Sequence, residues 1–216
     1  MTHLNVQTPP LGLIQTNCYL IWPEGETACW IIDPGGLPGP IISVIERNKL
    51  EPKKIIITHG HWDHFMGNRC LKDKFPHAKI AIHESDARVL PDADANLSLA
   101  LIGKAILSPP ADEFLKDGDN LQLGSLTFRV IHTPGHSPGG VCLHCEDPDV
   151  KSVFVGDLIF AGGGVGRTDL PGSSTRDLHQ SIKRVFKLIP DETVVYPGHG
   201  PTTTIGEEKE SLNGLL

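Results

Sequence analysis

The chain has 216 residues, 39% hydrophobic and 21% charged, with a formal net charge of −7. That length buries a core without disulfides, the acidity argues against nucleic acid as main partner, and neither a signal-like leader nor an apolar run of about 18 residues directs the chain to a membrane. The five cysteines (Cys18, Cys29, Cys70, Cys142 and Cys145) are odd in number and scattered, which fits a reduced, cytoplasmic compartment.

Short β-branched runs closed by glycine or proline predict strands over residues 17–22, 29–33 and 54–58. Ile41, Ile42, Val44, Ile45 and Leu50 recur at near-helical spacing and predict a helix over 40–50, ended by Pro52. A second helix is expected over 67–75, a strand over 79–83, and a short helix from Ser85, its N-cap, to Leu90. Residues 91–119 are weakly periodic, contain Pro109-Pro110 and read as a long surface connection. A hairpin about Gly124-Ser125 joins strands at 120–122 and 126–131, and further strands follow at 141–145 and 152–155. Thr175 caps a helix over 176–188 with Leu178, Ile182, Val185, Phe186 and Ile189 as its apolar stripe, and a strand at 193–196 precedes a helix over 205–212. No repeat or linker interrupts the chain, so a single domain is expected. Two sheets packed face to face with helices outside fit this order; an ordinary three-layer α/β fold fits it too.

The strand ending at Thr58 runs into His59-Gly60-His61-Trp62-Asp63-His64. At this composition the H-x-H-x-D-H spacing is expected by chance roughly 0.002 times per chain, so the signal is strong. Imidazole nitrogen and carboxylate oxygen suit Zn²⁺, Fe²⁺ or Mn²⁺, and the absence of cysteine among them argues against a closed structural zinc site. In an extended segment His59 and His61 point the same way and grip one ion, leaving Asp63 and His64 for another. Three further candidates follow strands in glycine-rich loops, where the missing Cβ lets backbone approach an ion: His136 in Thr133-Pro134-Gly135-His136-Ser137, Asp157 after Val153-Phe154-Val155-Gly156, and His199 after Val194-Val195-Tyr196-Pro197-Gly198.

Other conspicuous residues read as structural. His77 is solvated, His83 and His144 are strand residues, His179 lies on a helix face, His3 sits at a loose terminus, and His132 supports its loop by hydrogen bonding. Cys142 and Cys145, three apart on a strand, point to opposite faces and serve as small buried hydrophobes. Gly162-Gly163-Gly164 reads as a flexible loop rimming the site, and Glu207-Glu208-Lys209-Glu210 as a solvated helix face.

Taken together, Asp33-Pro34-Gly35-Gly36, the segment from Thr58 to His64, Thr133 to Gly139, Gly156-Asp157, Gly166-Arg167-Thr168-Asp169 and Pro197-Gly198-His199-Gly200 span almost the whole chain. In this order the chain resembles the metallo-β-lactamase-fold hydrolases, and among them the short glyoxalase II-like hydroxyacylglutathione hydrolases. The resemblance implies an α+β, four-layer αβ/βα sandwich over residues 1–216 with the site at one edge of the sheets. It implies no separate C-terminal glutathione-binding helical domain, because 17 residues follow His199. It also implies two divalent metal ions, zinc first with iron or manganese as alternatives: His59, His61 and His136 on one, Asp63, His64 and His199 on the other, with Asp157 bridging.

The implied reaction is hydrolysis of a small-molecule, glutathione-derived thioester such as lactoylglutathione by a metal-bound hydroxide. Asp63 would be a ligand and proton acceptor, Arg167 a cationic substrate contact, and Asp33 a hydrogen-bond partner of a ligand histidine. The chain departs from the larger glyoxalase II enzymes at Pro201, where they carry tyrosine, and at Arg167, where they carry lysine. Gly166-Arg167-Thr168-Asp169 also resembles persulfide dioxygenases, which bind one iron through positions matching His59, His136 and Asp157; lactonase or β-lactamase hydrolysis is a third reading.

Overall fold

Along the central strands, consecutive apolar residues face opposite ways, and that alternation defines the layers. The computed structural model describes residues 3–12 and 14–214. Its first half holds strands β1 (Leu4–Gln7), β2 (Pro10–Leu11), β3 (Thr16–Asn17), β4 (Tyr19–Pro23) and β5 (Ala28–Ile32), helix α1 (Gly39–Asn48), strand β6 (Glu51–Ile56), helix α2 (Asn68–Lys74), strand β7 (Lys79–His83), helices α3 (Glu84–Ala87) and α4 (Ser98–Ile102), and strand β8 (Glu113–Leu115). The second half holds β9 (Asn120–Leu123), β10 (Leu126–His132), β11 (Val141–Cys145), β12 (Ser152–Gly156), β13 (Ile159–Phe160), β14 (Gly164–Val165), helix α5 (Thr175–Leu188), β15 (Val194–Pro197), β16 (Thr203–Thr204) and helix α6 (Ile205–Ser211).

One sheet runs β1-β4-β5-β6-β7-β8 and the other β16-β15-β12-β11-β10-β9. The strands from β5 to β8 are parallel neighbours, as are β12 and β15. Trp30, Ile32 and Ile56 of the first sheet meet Phe128, Val130, Leu143 and Phe154 of the second between the sheets. Their neighbours Ile31 and Ile55 turn the other way, onto Ile41 and Ile45 of α1 and Leu71 of α2. In the second sheet Ile131, Cys142 and Val153 turn outward onto Leu178, Ile182 and Val185 of α5 and Ile205 of α6. Three apolar layers thus separate four layers of backbone, the αβ/βα sandwich rather than the three-layer alternative. Cys142 and Cys145 fall in different layers, as their strand spacing requires.

Several local expectations are corrected. Pro52 lies inside β6, and α1 ends earlier, at Lys49 with φ 53°, where the left-handed backbone terminates the helix. The segment 91–119 is not a bare connection: it carries α4 and adds β8 beside β7. His83, not Ser85, caps α3 by accepting from the Ser85 amide, and Ser174 rather than Thr175 caps α5. The amino-terminal segment is an edge strand, where the His3 carbonyl accepts from the Glu24 amide at 2.8 Å. Glu208 is buried, not solvated, and accepts from the amides of Gly162 and Gly163 at 3.1 and 2.7 Å, so the glycine segment is a tethered turn rather than a flexible loop.

Among the described residues, no helix is long and apolar enough to cross a membrane.

Candidate metal centre

Parallel strands end together, and in open sheets the loops beyond their carboxyl ends gather residues from distant parts of the chain. Asp33 follows β5, His59 follows β6, Asp157 follows β12 and His199 follows β15, while His136 lies beyond β10. A turn of 3₁₀ helix at Trp62–His64 folds the histidine motif back, so Asp63 and His64 face the same centre as His59 and His61. All seven sequence-derived candidates therefore meet. Three overlapping sets have donor atoms within 4.8 Å of one another: His59, His61 and His136; His59, His64 and Asp157; and Asp63, His64 and His199.

The Asp157 carboxylate lies between the outer sets. Its Oδ1 is 3.5 Å from His64 Nε2, and its Oδ2 is 3.6 Å from both His136 Nε2 and His199 Nε2. Asp63 Oδ2 is 3.3 Å from the Nε2 atoms of His64 and His199. Gly198 makes this approach possible, since a Cβ there would sit 2.2 Å from Asp157 Oδ1 and 2.7 Å from the His64 ring.

Hydrogen bonds fix which ring nitrogens face inward. Asp33 accepts from the Thr58 amide at 2.7 Å, the Thr58 hydroxyl at 2.6 Å and His64 Nδ1 at 2.9 Å. Because the Thr58 proton goes to Asp33, its oxygen is free to accept from His59 Nδ1 at 3.2 Å. Asp33 thus orients His64 directly and His59 through Thr58. His136 Nδ1 donates to the Arg167 carbonyl at 2.8 Å, which turns its Nε2 toward His61 Nδ1, 2.9 Å away.

Asp86 ties two ligand loops together. Buried beyond β7, it accepts from the Gly60 amide at 2.8 Å, the Ser137 hydroxyl at 2.6 Å and the Gly139 amide at 2.8 Å. Asp86 is not among the sequence-derived candidates: it lies within α3, three residues beyond β7, whereas Asp33 and Asp157 follow their strands directly. Thr16, Asn17 and Tyr19 were missed as well. Thr16 donates to Asp63 Oδ2 at 3.1 Å, Asn17 Nδ2 donates to the carbonyls of Pro197 at 3.0 Å and Gly200 at 2.8 Å, and the Tyr19 hydroxyl donates to Pro197 at 2.6 Å. His132 holds its loop through Pro138, 2.9 Å from its Nε2, and stacks on His83 with centroids 4.0 Å apart.

The charges around the centre are those of a cation site. Burial and neighbouring histidines hold His59 well below the usual imidazole range, and burial and His136 push His61 down to about 4, so both are neutral with lone pairs available at pH 7. Burial alone would raise the carboxyls of Asp63 and Asp157, but His64 and His199 outweigh it and hold both low. Burial opposes protonation of His64 and His199, yet the surrounding carboxylates raise both. The buried Nε2 of His59, Nε2 of His64 and Oδ1 of Asp157 have no hydrogen-bond partner. Ionised carboxylates beside unpartnered imidazole nitrogens are costly to bury unless cations lie between them. The donor set fits divalent metal.

A cleft of 310 Å³ opens over His61, Asp63, His136, Asp157 and His199, and Arg167 lines it. The Arg167 guanidinium is bidentate to Asp169, with both contacts at 2.6 Å.

A four-layer sandwich with such donors at the ends of its strands defines a metal-binding scaffold. The sequence profile of the metallo-beta-lactamase superfamily matches residues 11–199, and the chain belongs to that superfamily. It is 39% identical to an uncharacterized protein of Mycobacterium leprae over 93% of each chain. It is 35% identical to the hydroxyacylglutathione hydrolase GloC of Haemophilus influenzae, covering 96% of each. Among solved structures it is similar to the B3 metallo-beta-lactamase BLEG-1, with TM-score 0.89 and 37% identity over 95% of this chain and 97% of that one. It is also similar to TTHA1623 in a di-iron-bound form, with TM-score 0.82 and 36% identity over 98% and 100%.

Proposed function

We propose that the protein is a metal-dependent thioester hydrolase of glyoxalase II type that cleaves a glutathione-derived thioester such as lactoylglutathione. The observation that carries this reading is the pair of donor triads with the Asp157 carboxylate between them, opening on a solvent-accessible cleft. His59, His61 and His136 would hold one divalent ion and Asp63, His64 and His199 the other, with zinc the first choice and iron or manganese as alternatives. When bound, such ions supply a Lewis acid for the thioester carbonyl and a water ionised near neutral pH. The similarity to GloC supports the thioester substrate.

The chain's own residues do the positioning. Asp33, through Thr58 and His64, holds imidazoles of both triads in the tautomer that leaves Nε2 facing the centre. Asp63 would serve as a ligand and proton acceptor, with the Thr16 hydroxyl donating to its Oδ2 at 3.1 Å. Arg167 would meet a glutathione carboxylate only in competition with Asp169, which makes it an exchangeable contact. The free cysteines among the described residues support a reducing, cytoplasmic setting.

The test is metal analysis of freshly purified protein alongside thiol release from lactoylglutathione. Two metals per chain and stoichiometric thiol release are expected. One iron per chain with oxygen uptake on a glutathione persulfide would replace this reading with the dioxygenase suggested by Gly166-Arg167-Thr168-Asp169. Turnover of a β-lactam with no thioesterase activity would replace it with the activity in the BLEG-1 name.

A further inference from the structure

The walls of the cleft differ from its floor. Above the donors it is lined by Ile14, Trp62, Leu101, Ile102 and Leu170, with Arg167 already engaged by Asp169. Ile14 and Leu101 remain 52% and 54% exposed. A single exposed leucine is ordinary, but aliphatic side chains converging on one concavity above a reactive floor mark a binding surface.

The segment presenting Leu101 is firmly built. Buried Asn96 donates to the carbonyls of Val89 at 3.2 Å and Ile106 at 2.8 Å, and its own oxygen accepts from the Ser98 amide at 3.0 Å. The Ser98 hydroxyl accepts from the Ile106 amide at 3.0 Å, and Leu97 enters α4 in the left-handed region at φ 68°. A non-glycine residue held there carries strain that the surrounding contacts must sustain. While Ile102 packs back against the core, Leu101 is held in water.

Resting on the thioester-hydrolase reading, we infer that the preferred substrate carries an apolar acyl group, an alkyl chain or aryl ring longer than lactoyl, laid against Leu101, Ile102 and Ile14. A longer apolar acyl group laid on these side chains would remove them from water.

The test uses thioethers, which are not hydrolysed, so binding is read apart from chemistry. Metal-loaded protein titrated calorimetrically should bind S-hexylglutathione at least about tenfold more tightly than S-methylglutathione, from the added buried methylenes. Leu101→Asn should bring the two affinities within about threefold of each other, as expected when the apolar contact is lost. Leu188→Asn, an exposed leucine on α5 away from the cleft, should preserve the wild-type ratio. Equal affinities in the wild type overturn the inference. So does a change in oligomeric state of Leu101→Asn with the ratio intact, which would mean that a second copy covers the wall. Parallel assays with hexanoyl- and lactoylglutathione separate the two readings: hydrolysis without chain-length preference overturns this inference and leaves the thioesterase standing, whereas no hydrolysis of either thioester overturns the thioesterase and the acyl assignment with it.

Discussion

The two halves of the sandwich furnish the centre in different ways. The first contributes His59, His61, Asp63 and His64 from one loop after β6, whereas the second contributes His136, Asp157 and His199 from the ends of three strands. Contiguous donors are brought near by the chain itself and need only orientation, which Asp33 provides. Dispersed donors depend on the register of β10, β12 and β15 and on side chains of the first half, such as Asn17 of β3 and Tyr19 of β4. The first half is thus sensitive to single hydrogen-bond partners and the second to the docking of whole elements.

That contrast can be broken most sharply at the joint. Asp157→Ala removes the carboxylate between the triads, and turnover is expected to fall by more than about a hundredfold, the upper end of what losing an outer hydrogen-bond partner does. Metal content by mass spectrometry should fall with it. Asp33→Asn offers its neighbours an amide that cannot accept every bond the carboxylate does. Metal affinity, measured by competition with a chromophoric chelator, should drop about 10- to 100-fold.

Asp86→Asn tests whether the halves are coupled, because one carboxylate receives donors from both loops. It should cost about 1–3 kcal/mol in denaturant midpoint analysis and weaken metal binding by His59, His61 and His136. Asn17→Ala should cost about 1 kcal/mol and lower the metal content held by His199 while the first triad keeps its ion, sharpening the contrast.

The smallest effect concerns the thiols. Burial pushes Cys29 and Cys142 up to about 12 and Cys145 up to about 11, so at pH 8 they stay protonated and unreactive. Iodoacetamide should label exposed Cys70 alone in the native protein, and the remaining cysteines only after unfolding.

The same contrast explains what could be read from sequence. The donor residues were legible because metal chemistry restricts them to histidine and aspartate, and glycine beside them restricts the backbone. Strand pattern left two packed sheets and a three-layer α/β fold both open, and only the resemblance implied four layers; the structure decides it by sending Ile31 and Ile32 into different layers. Asp86 was not legible, because a buried carboxylate that accepts three hydrogen bonds looks, in sequence, like any acidic residue near a helix start. Segment 91–119 was misread because α4 is short and held by side-chain bonds from Asn96 and Ser98 rather than by an amphipathic period. Pro52 was misread because a proline at the beginning of a strand is tolerated where it ends no helix.

The bonds from Asn17 to Pro197 and Gly200 join positions 180 and 183 residues apart. Contacts of such sequence separation close a loop of nearly the whole chain and carry the loop-closure entropy of that length. During synthesis the histidine motif leaves the ribosome long before His199 exists, so a nascent chain displays an incomplete set of donors. The full set of donors is therefore available only once nearly the whole chain has been made, from His59 to His199.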